Sequence, residues 1–307
     1  MVKDIKWIKK GLIYSKHAQL PTVQAMGDLL RIYYSRRDNK NRSQVYYFDV
    51  EADDPSKIVN DPEHPVLRLG RRGCFDDAGV MPSCVVNLEG QIRLYYTGWN
   101  VDKGDVPYGH GIGLAIWYET DGEFCRLSEG PILDRCMEIP FLANSPTVMK
   151  MPSWGKGSPW KMWFCNGIGW EKEFAQYAIC CAESDDGIRW KSFPYDYESS
   201  AYLGGYGYAC SRPCAYLGDD NDIWIWYSRK SIASPYYISG AYSYEQWITK
   251  FNPPFWTHTG GINLLSDEGW DSEMQCYPYI HKHGSRTYMF YNGNGYGASG
   301  IGWAEMQ

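Results

Sequence analysis

Five segments of the chain follow one plan, and this periodicity constrains the fold more than any other feature. Each opens on a proline inside an apolar stretch: Pro21, Pro82, Pro146, Pro213 and Pro278, spaced 61, 64, 67 and 65 residues apart. A turn signal follows each: Gly27-Asp28, Glu89-Gly90, the loop from Gly155 to Gly157, Gly218-Asp219-Asp220-Asn221 and His283-Gly284. Next comes an aromatic-rich strand ending in a small polar residue. These strands read Ile32-Tyr33-Tyr34-Ser35, Leu94-Tyr95-Tyr96-Thr97, Met162-Trp163-Phe164-Cys165, Ile225-Trp226-Tyr227-Ser228 and Met289-Phe290-Tyr291-Asn292. A third strand rich in small residues follows in four repeats, as in Gly113-Leu114-Ala115 and Gly302-Trp303-Ala304. The first repeat carries Val45-Tyr46-Tyr47-Phe48 there.

Alternating patterns bounded by Gly, Asp and Asn favour strands over helices. Repeats of this length, each worth about four antiparallel strands, stack as the blades of a propeller. The sequence therefore predicts an all-β fold: one domain over 1–307, a five-bladed β-propeller with four antiparallel strands per blade. A sandwich or two separate β domains would call for a linker-like shift in composition, and none is present. The last repeat ends at Gln307, soon after its third strand. Asp4-Ile5-Lys6-Trp7-Ile8 matches Gly187-Ile188-Arg189-Trp190-Lys191. An N-terminal strand near residues 5–9 is thus expected to complete the last blade and close the ring, which removes exposed edges.

Composition narrows the function classes. With 30 Lys+Arg against 36 Asp+Glu, the formal charge is −6. That leaves no basic footprint for nucleic acid. No apolar run approaches the ~18 residues of a membrane span. Met1 to Trp7 lacks the apolar core of a leader, so a cytoplasmic location is expected. The ten cysteines form no CxxC pair. They read as reduced, mostly buried thiols rather than disulfides or a zinc site. No organic cofactor and no metal are predicted. Tyr291-Asn292-Gly293-Asn294-Gly295-Tyr296-Gly297 lacks the GxGxxG spacing and a following helix, so it is no nucleotide loop.

A propeller's first strands converge on its axis, so residues before each proline face one funnel. Five residues before Pro82 stands Asp77, and five before Pro278 stands Glu273. Two carboxylates across a cleft suit glycosidic bond cleavage: one protonates the leaving oxygen, the other attacks the sugar or activates water. The plainer reading is that both cap turns or pair with arginines. Asp76 and Asp271 are neighbouring candidates. Arg212, directly before Pro213, is either a clamp on a substrate anion or hydroxyl, or an ion pair to Asp77 or Glu273. His17, Gln19 and Asn144 complete the candidate substrate-binding set. Trp99, Trp170, Tyr206, Tyr208 and Tyr296 are expected in rim loops, where flat rings stack on sugars.

Phe75-Asp76-Asp77-Ala78-Gly79-Val80-Met81-Pro82-Ser83, Leu94-Tyr95-Tyr96-Thr97-Gly98-Trp99, Gly269-Trp270-Asp271-Ser272-Glu273-Met274 and the glycine-rich tail resemble the five-bladed propeller glycosidases. That superfamily includes invertases, arabinanases, xylosidases and β-mannoside phosphorylases. Together these stretches look like a bacterial glycosidase-like branch often linked to surface polysaccharide synthesis. The resemblance covers essentially the whole chain. It implies an axial site, acidic catalysis and a carbohydrate or sugar-nucleotide partner, and it admits a calcium on the axis for which no signature stands here. Family hydrolases usually carry an acid beside the first-blade proline and often one beside the second. Here Leu20 precedes Pro21 and Met81 precedes Pro82. The expected activity is glycoside hydrolysis. Glycosyl transfer or phosphorolysis, the latter needing a basic pocket from among Arg36, Arg37, Arg42, Arg71, Arg72 and Arg212, is the alternative. A non-catalytic carbohydrate-binding propeller is the third reading.

Overall fold

The computed structural model describes residues 5–101, 104–152, 159–171, 174–193, 203–204, 208–231, 234–244, 256–262, 264, 266 and 268–307. The loop from Gly155 to Gly157 and Tyr206 lie outside the described residues. The chain opens with β1 (Trp7–Tyr14) and then runs through four-strand meanders in sequence order. The first comprises β2 (Gln19–Met26), β3 (Leu29–Arg37), β4 (Ser43–Glu51) and the short β5 (Ile58–Asn60). The second comprises β6 (Gly79–Leu88), β7 (Gln91–Val101), β8 (Tyr108–Tyr118) and β9 (Glu123–Arg126). A single parallel bridge, Ser43 to Gly79, joins these two into one sheet. Then come β10 (Ala143–Lys150), β11 (Trp160–Glu171), β12 (Phe174–Ser184) and β13 (Lys191–Ser192), with β14 (Leu203–Gly204) also on β12. The next sheet is β15 (Tyr208–Leu217), β16 (Ile223–Ser231), β17 (Tyr237–Ser243) and β18 (Thr257–Ile262).

The last sheet has the order β1-β21-β20-β19, from β19 (Cys276–His283), β20 (Arg286–Asn292) and β21 (Ile301–Met306). Its outer strand is therefore the N-terminal one. Trp7 pairs with Met306 and Tyr14 with Ile301. The one helical turn among the described residues, 294–297, contains left-handed Gly295 and Tyr296. Among the described residues no helix is long and apolar enough to cross a membrane.

The first strands of the meanders pack in a cycle: β2 on β6, β6 on β10, β10 on β15, β15 on β19, and β19 on β2. Each carries its repeat proline at a register shift, between Gln19 and Thr22, Pro82 and Cys84, Asn144 and Thr147, Ser211 and Cys214, and Cys276 and Tyr279. Proline has no N–H for the ladder, so the strand bulges where it sits. In four strands the residue before the proline takes a left-handed φ: Leu20 (61°), Ser145 (50°), Arg212 (53°) and Tyr277 (57°).

The aromatic second strands fill the space between sheets. Tyr33 and Val45 pack on Val80, Leu94 and Tyr96 between the first two meanders. Tyr95 and Leu114 meet Met162 and Phe164, and Trp163 meets Ile225 and Tyr227. One cluster, containing Tyr34, Trp226, Phe290 and Trp7, binds the last sheet to both neighbours. Buried tyrosines pass their hydroxyls to the adjoining sheet: Tyr95 donates to the Gly187 carbonyl (2.8 Å) and Tyr288 to that of Ala52 (3.0 Å). All ten cysteines carry free thiols, and seven are buried.

Candidate functional site

Asp76 and Asp271 are wholly buried, and their surroundings match. The Tyr96 hydroxyl donates to Asp76 Oδ2 (3.0 Å), as Tyr291 does to Asp271 Oδ2 (3.0 Å). Each acid also meets a cation from the outermost strand beside its meander. Arg126 Nε on β9 lies 2.7 Å from Asp76, and Lys9 Nζ on β1 pairs with Asp271. The N-terminal strand thus supplies for the last sheet what β9 supplies for the second. These two aspartates are repeat counterparts that brace their blades, and neither lines a cavity described below. Six residues separate Asp76 from Pro82, but seven separate Asp271 from Pro278. Counting five back from the prolines therefore aligned Asp77 with Glu273 out of step.

Arg212 is corrected by the structure. It is fully buried, and among the described residues no carboxylate pairs with it. Its left-handed backbone turns the side chain across the axis. There Nη2 donates to the Pro21 carbonyl (3.0 Å) and Thr22 Oγ1 (2.8 Å), and Nη1 donates to the Ser83 carbonyl. The guanidinium also lies over the Tyr279 ring at 5.9 Å. Burial holds its pKa below the ordinary arginine value. Arg212 ties the first strands of three meanders together through carbonyl dipoles, and it pairs with neither Asp77 nor Glu273.

Two adjoining cavities open at one end of the axis, of about 1040 and 280 Å³. Arg37, Met81, Tyr108, Tyr177 and Tyr277 line both. Gln19, Met81, Tyr177, Lys230 and Tyr277 show that every meander contributes to the walls. Asp77 lines the larger cavity and is the one carboxylate among the described lining residues. The Gly73 N–H fixes its Oδ2 at 2.8 Å. Glu273 is exposed on the turn before β19, its own N–H donating to Asn294 Oδ1 (2.8 Å), and it lines neither cavity. The structure does not gather these two acids around one space.

The remaining candidates divide. Gln19 lines the smaller chamber and accepts from Arg37 Nε at 3.5 Å. Asn144 is buried and hydrogen-bonds His110 Nδ1 (3.1 Å), and His110 lines the larger cavity. Burial, then the neighbouring Arg37 charge, push the His110 pKa down to about 3, so the imidazole is neutral near pH 7. His17 is half-buried, its pKa lowered by burial and then Arg37, and it lines neither cavity. Of the arginines available for a basic pocket, Arg37, Arg42 and Arg72 line the larger cavity. Arg36 stacks on Tyr46 (4.0 Å) and Arg71 pairs with Glu129 (2.5 Å).

Trp99 belongs to β7 rather than a rim loop and donates its indole N–H to Ser43 Oγ (2.9 Å), yet it lines the larger cavity. Trp170 is in β11, packed on Tyr108 (5.2 Å). Tyr208 begins β15. Tyr296 does reach the smaller chamber. Lys40, Lys230, Tyr177, Tyr236, Tyr277 and His110 are lining residues that the sequence reading missed. Among the described residues no group of three His, Cys, Asp or Glu gathers as metal ligands would.

No family model matches the chain. Among solved structures, one described as a glycoside hydrolase superposes with TM-score 0.72 at 17% identity, over 97% of this chain and 92% of its own. A structure from the GH130 family of mannoside phosphorylases, which contains glycoside hydrolases, superposes with TM-score 0.68 at 14% identity, over 98% and 85%. At such identities the likeness is one of fold, and that fold is the propeller type of these glycosidases. In sequence, the chain is 32% identical over 316 residues to the uncharacterized protein MT1551 of Mycobacterium tuberculosis (strain CDC 1551 / Oshkosh), covering 98% of this chain and 99% of the relative. The uncharacterized protein Rv1502 of strain H37Rv matches at 32% over 317 residues. With near-complete coverage on both sides, this chain belongs to the family of MT1551 and Rv1502.

Proposed function

We propose that the chain is a single-domain five-bladed propeller whose axial cavity holds a carbohydrate, and that it is a glycosidase-like enzyme with Asp77 as the acid. The cyclic packing of the first strands and the propeller-type neighbours support the architecture. The carrying observation is that, among the described residues, one carboxylate, Asp77, lines a cavity that draws walls from every meander. Tyrosines and Trp99 offer flat faces for sugar rings, and Gln19 and Asn41 offer amide groups for hydroxyls.

One carboxylate can protonate a leaving glycosidic oxygen, an effect worth ~10²–10⁴ in rate. Two-carboxylate hydrolysis asks for a partner acid, and Leu20 and Met81 stand where the hydrolases this sequence resembles usually or often carry acids. With Asp77 the one acid among the described lining residues, attack by a second substrate, as in transfer or phosphorolysis, is favoured over hydrolysis by an Asp77–Glu273 pair. The position of Glu273 outside the cavities favours, as a second reading, a propeller that binds sugar without turnover.

A panel of oligosaccharides, and of nitrophenyl glycosides whose leaving group needs no protonation, tests the assignment with and without phosphate or an acceptor sugar. Asp77→Asn is expected to lose turnover of the oligosaccharide about 10²-fold or more while sparing the nitrophenyl glycoside. Equal turnover of the oligosaccharide by both proteins would remove Asp77 from the chemistry. Sugar binding unchanged by Asp77→Asn, with no product under any condition, would establish the binding propeller instead.

A further inference from the structure

We infer that the ligand of the axial cavity carries an anionic group, a carboxylate or a phosphate, held between Arg37 and Lys230. The inference rests on the carbohydrate reading above and names the class of sugar: an acidic one, or a neutral one bound beside a free anion. Arg37 lines both cavities, and Lys230 lines the smaller. Their positions are equivalent. Tyr34-Ser35-Arg36-Arg37 ends β3, Tyr227-Ser228-Arg229-Lys230 nears the end of β16, and Ser35 pairs with Gln19 as Ser228 pairs with Ser211. Two meanders thus send a cation from the same register into one chamber.

Several partly buried cations elsewhere are matched by acids, whereas Arg36 and Arg93 rest on ring faces. Arg31 meets Asp49, Arg126 meets Asp76, Lys9 meets Asp271, and Arg286 meets Glu305. In the larger cavity Arg42 is held by Asp38. Arg37 and Lys230 have no such partner among the described residues. Arg37 donates to the side-chain oxygens of Gln19 (3.5 Å) and Asn41 (2.9 Å) and to the Asn41 carbonyl, and faces Trp99 at 5.5 Å. Lys230 rests on the rings of Phe174 (5.3 Å) and Tyr236 (5.0 Å). No Asp or Glu is found among the described lining residues of the smaller chamber. Burial lowers the pKa of both cations, the direction expected of charges that have lost water without gaining an anion. Two such charges facing one chamber attract a negative group, and the Tyr108, Tyr177 and Tyr236 side chains beside them can donate further hydrogen bonds.

The test uses the full-length protein on a glycan array divided into neutral, uronate-bearing and phosphate-bearing sugars. Titrations with glucuronate, glucose 1-phosphate, glucose and inorganic phosphate run beside it. Acidic glycans are expected to be retained over neutral ones, or inorganic phosphate to bind alone. Arg37→Met and Lys230→Met should each weaken that binding about tenfold or more. Lys57→Met, in an exposed pair with Glu51, should change nothing. Circular dichroism checks folding, and in the unaltered protein binding should weaken as sodium chloride rises, a readout that needs no variant. Preference for uronate or phosphate identifies the source of the charge. Neutral glycans bound as tightly as acidic ones, with Arg37→Met silent, would overturn the anion site and leave the carbohydrate reading standing. Phosphate bound through Arg37 and Lys230 with no sugar retained would uphold the anion site and reject the carbohydrate reading. Retention of neither acidic sugar nor phosphate would overturn the inference.

Discussion

Asp271→Asn tests whether the buried aspartates brace the fold or belong to the site. The change keeps shape but leaves Lys9 without its anion, while Tyr291 and Gln275 can still donate to the amide oxygen. Breaking a buried pair from one side costs ~3–5 kcal/mol. Lys9 retains 24% of its side chain in solvent and keeps the Leu264 carbonyl and Ser266 Oγ as acceptors, which points to the lower end. An unfolding entropy of roughly 2.1 cal/mol/K per residue gives about 0.64 kcal/mol/K for 307 residues. A loss of ~3 kcal/mol then lowers the melting temperature by about 5 °C. Because Lys9 lies on β1, hydrogen exchange should quicken along 7–14 before the rest of the last sheet. Urea unfolding of Asp271→Asn, Lys9→Met and the double variant isolates the pair, and a coupling above ~1 kcal/mol is expected. A cost below ~1 kcal/mol, with additive singles and lost ligand binding, would refute the bracing role and return Asp271 to the site.

Two further outcomes follow from packing and charge. A Cβ on Gly98 would lie 2.5 Å from Asp76 Cβ and meet the Phe75 ring, so Gly98→Ala should cost about 1–3 kcal/mol in thermal or urea unfolding. Glu305 accepts two bonds from Arg286 (2.6 and 3.1 Å) and pairs with Lys10 (3.0 Å), and chiefly the Arg286 bonds hold its pKa down at about 2 against an ordinary 4.5. A depressed carboxylate stabilises the fold above its unfolded pKa and loses that contribution as pH falls. Stability measured from pH 4.5 down to 2 should therefore drop less steeply in Glu305→Gln than in the parent.

Much of the architecture was legible because its causes are local. Prolines demand a bulge, aromatic alternation demands a strand, and a last repeat short of one strand demands a substitute, which β1 provides. The misalignment of Asp77 with Glu273 came from one extra residue between Asp271 and Pro278. The Tyr96 and Tyr291 partners reveal it, and no count from the proline could. The match between Arg126 and Lys9 was hidden for another reason: the two stand far apart in sequence and become equivalent only when β1 joins the last sheet. Arg37 and Lys230 left a readable trace, the parallel strings Tyr-Ser-Arg-Arg and Tyr-Ser-Arg-Lys. Their convergence on one chamber depends on how the sheets pack around the axis, which spacing along the chain does not encode.

The residues before the prolines decide what such an axis can do. A left-handed φ costs a non-glycine residue ~1–3 kcal/mol, so Leu20, Ser145, Arg212 and Tyr277 keep it only because the bulged strand imposes it. In three of them that imposition aims the side chain inward. Arg212 becomes a cross-axis tie, Tyr277 lines both cavities, and Leu20 lines the smaller one beside Arg37. Leu20→Asp separates two views of this position. If the site is a hydrolase that has lost an acid, restoring one should raise hydrolysis. If Arg37 and Lys230 hold an anion, a carboxylate at residue 20 occupies their charge and binding of acidic ligands should fall about tenfold or more. Aspartate enters the left-handed region more easily than leucine, which offsets part of the cost of placing a carboxylate at this buried position. The second result is expected, read by the same titrations with glucuronate and phosphate. A gain in hydrolysis with ligand binding intact would show that the axis lacks an acid rather than awaits one on its ligand.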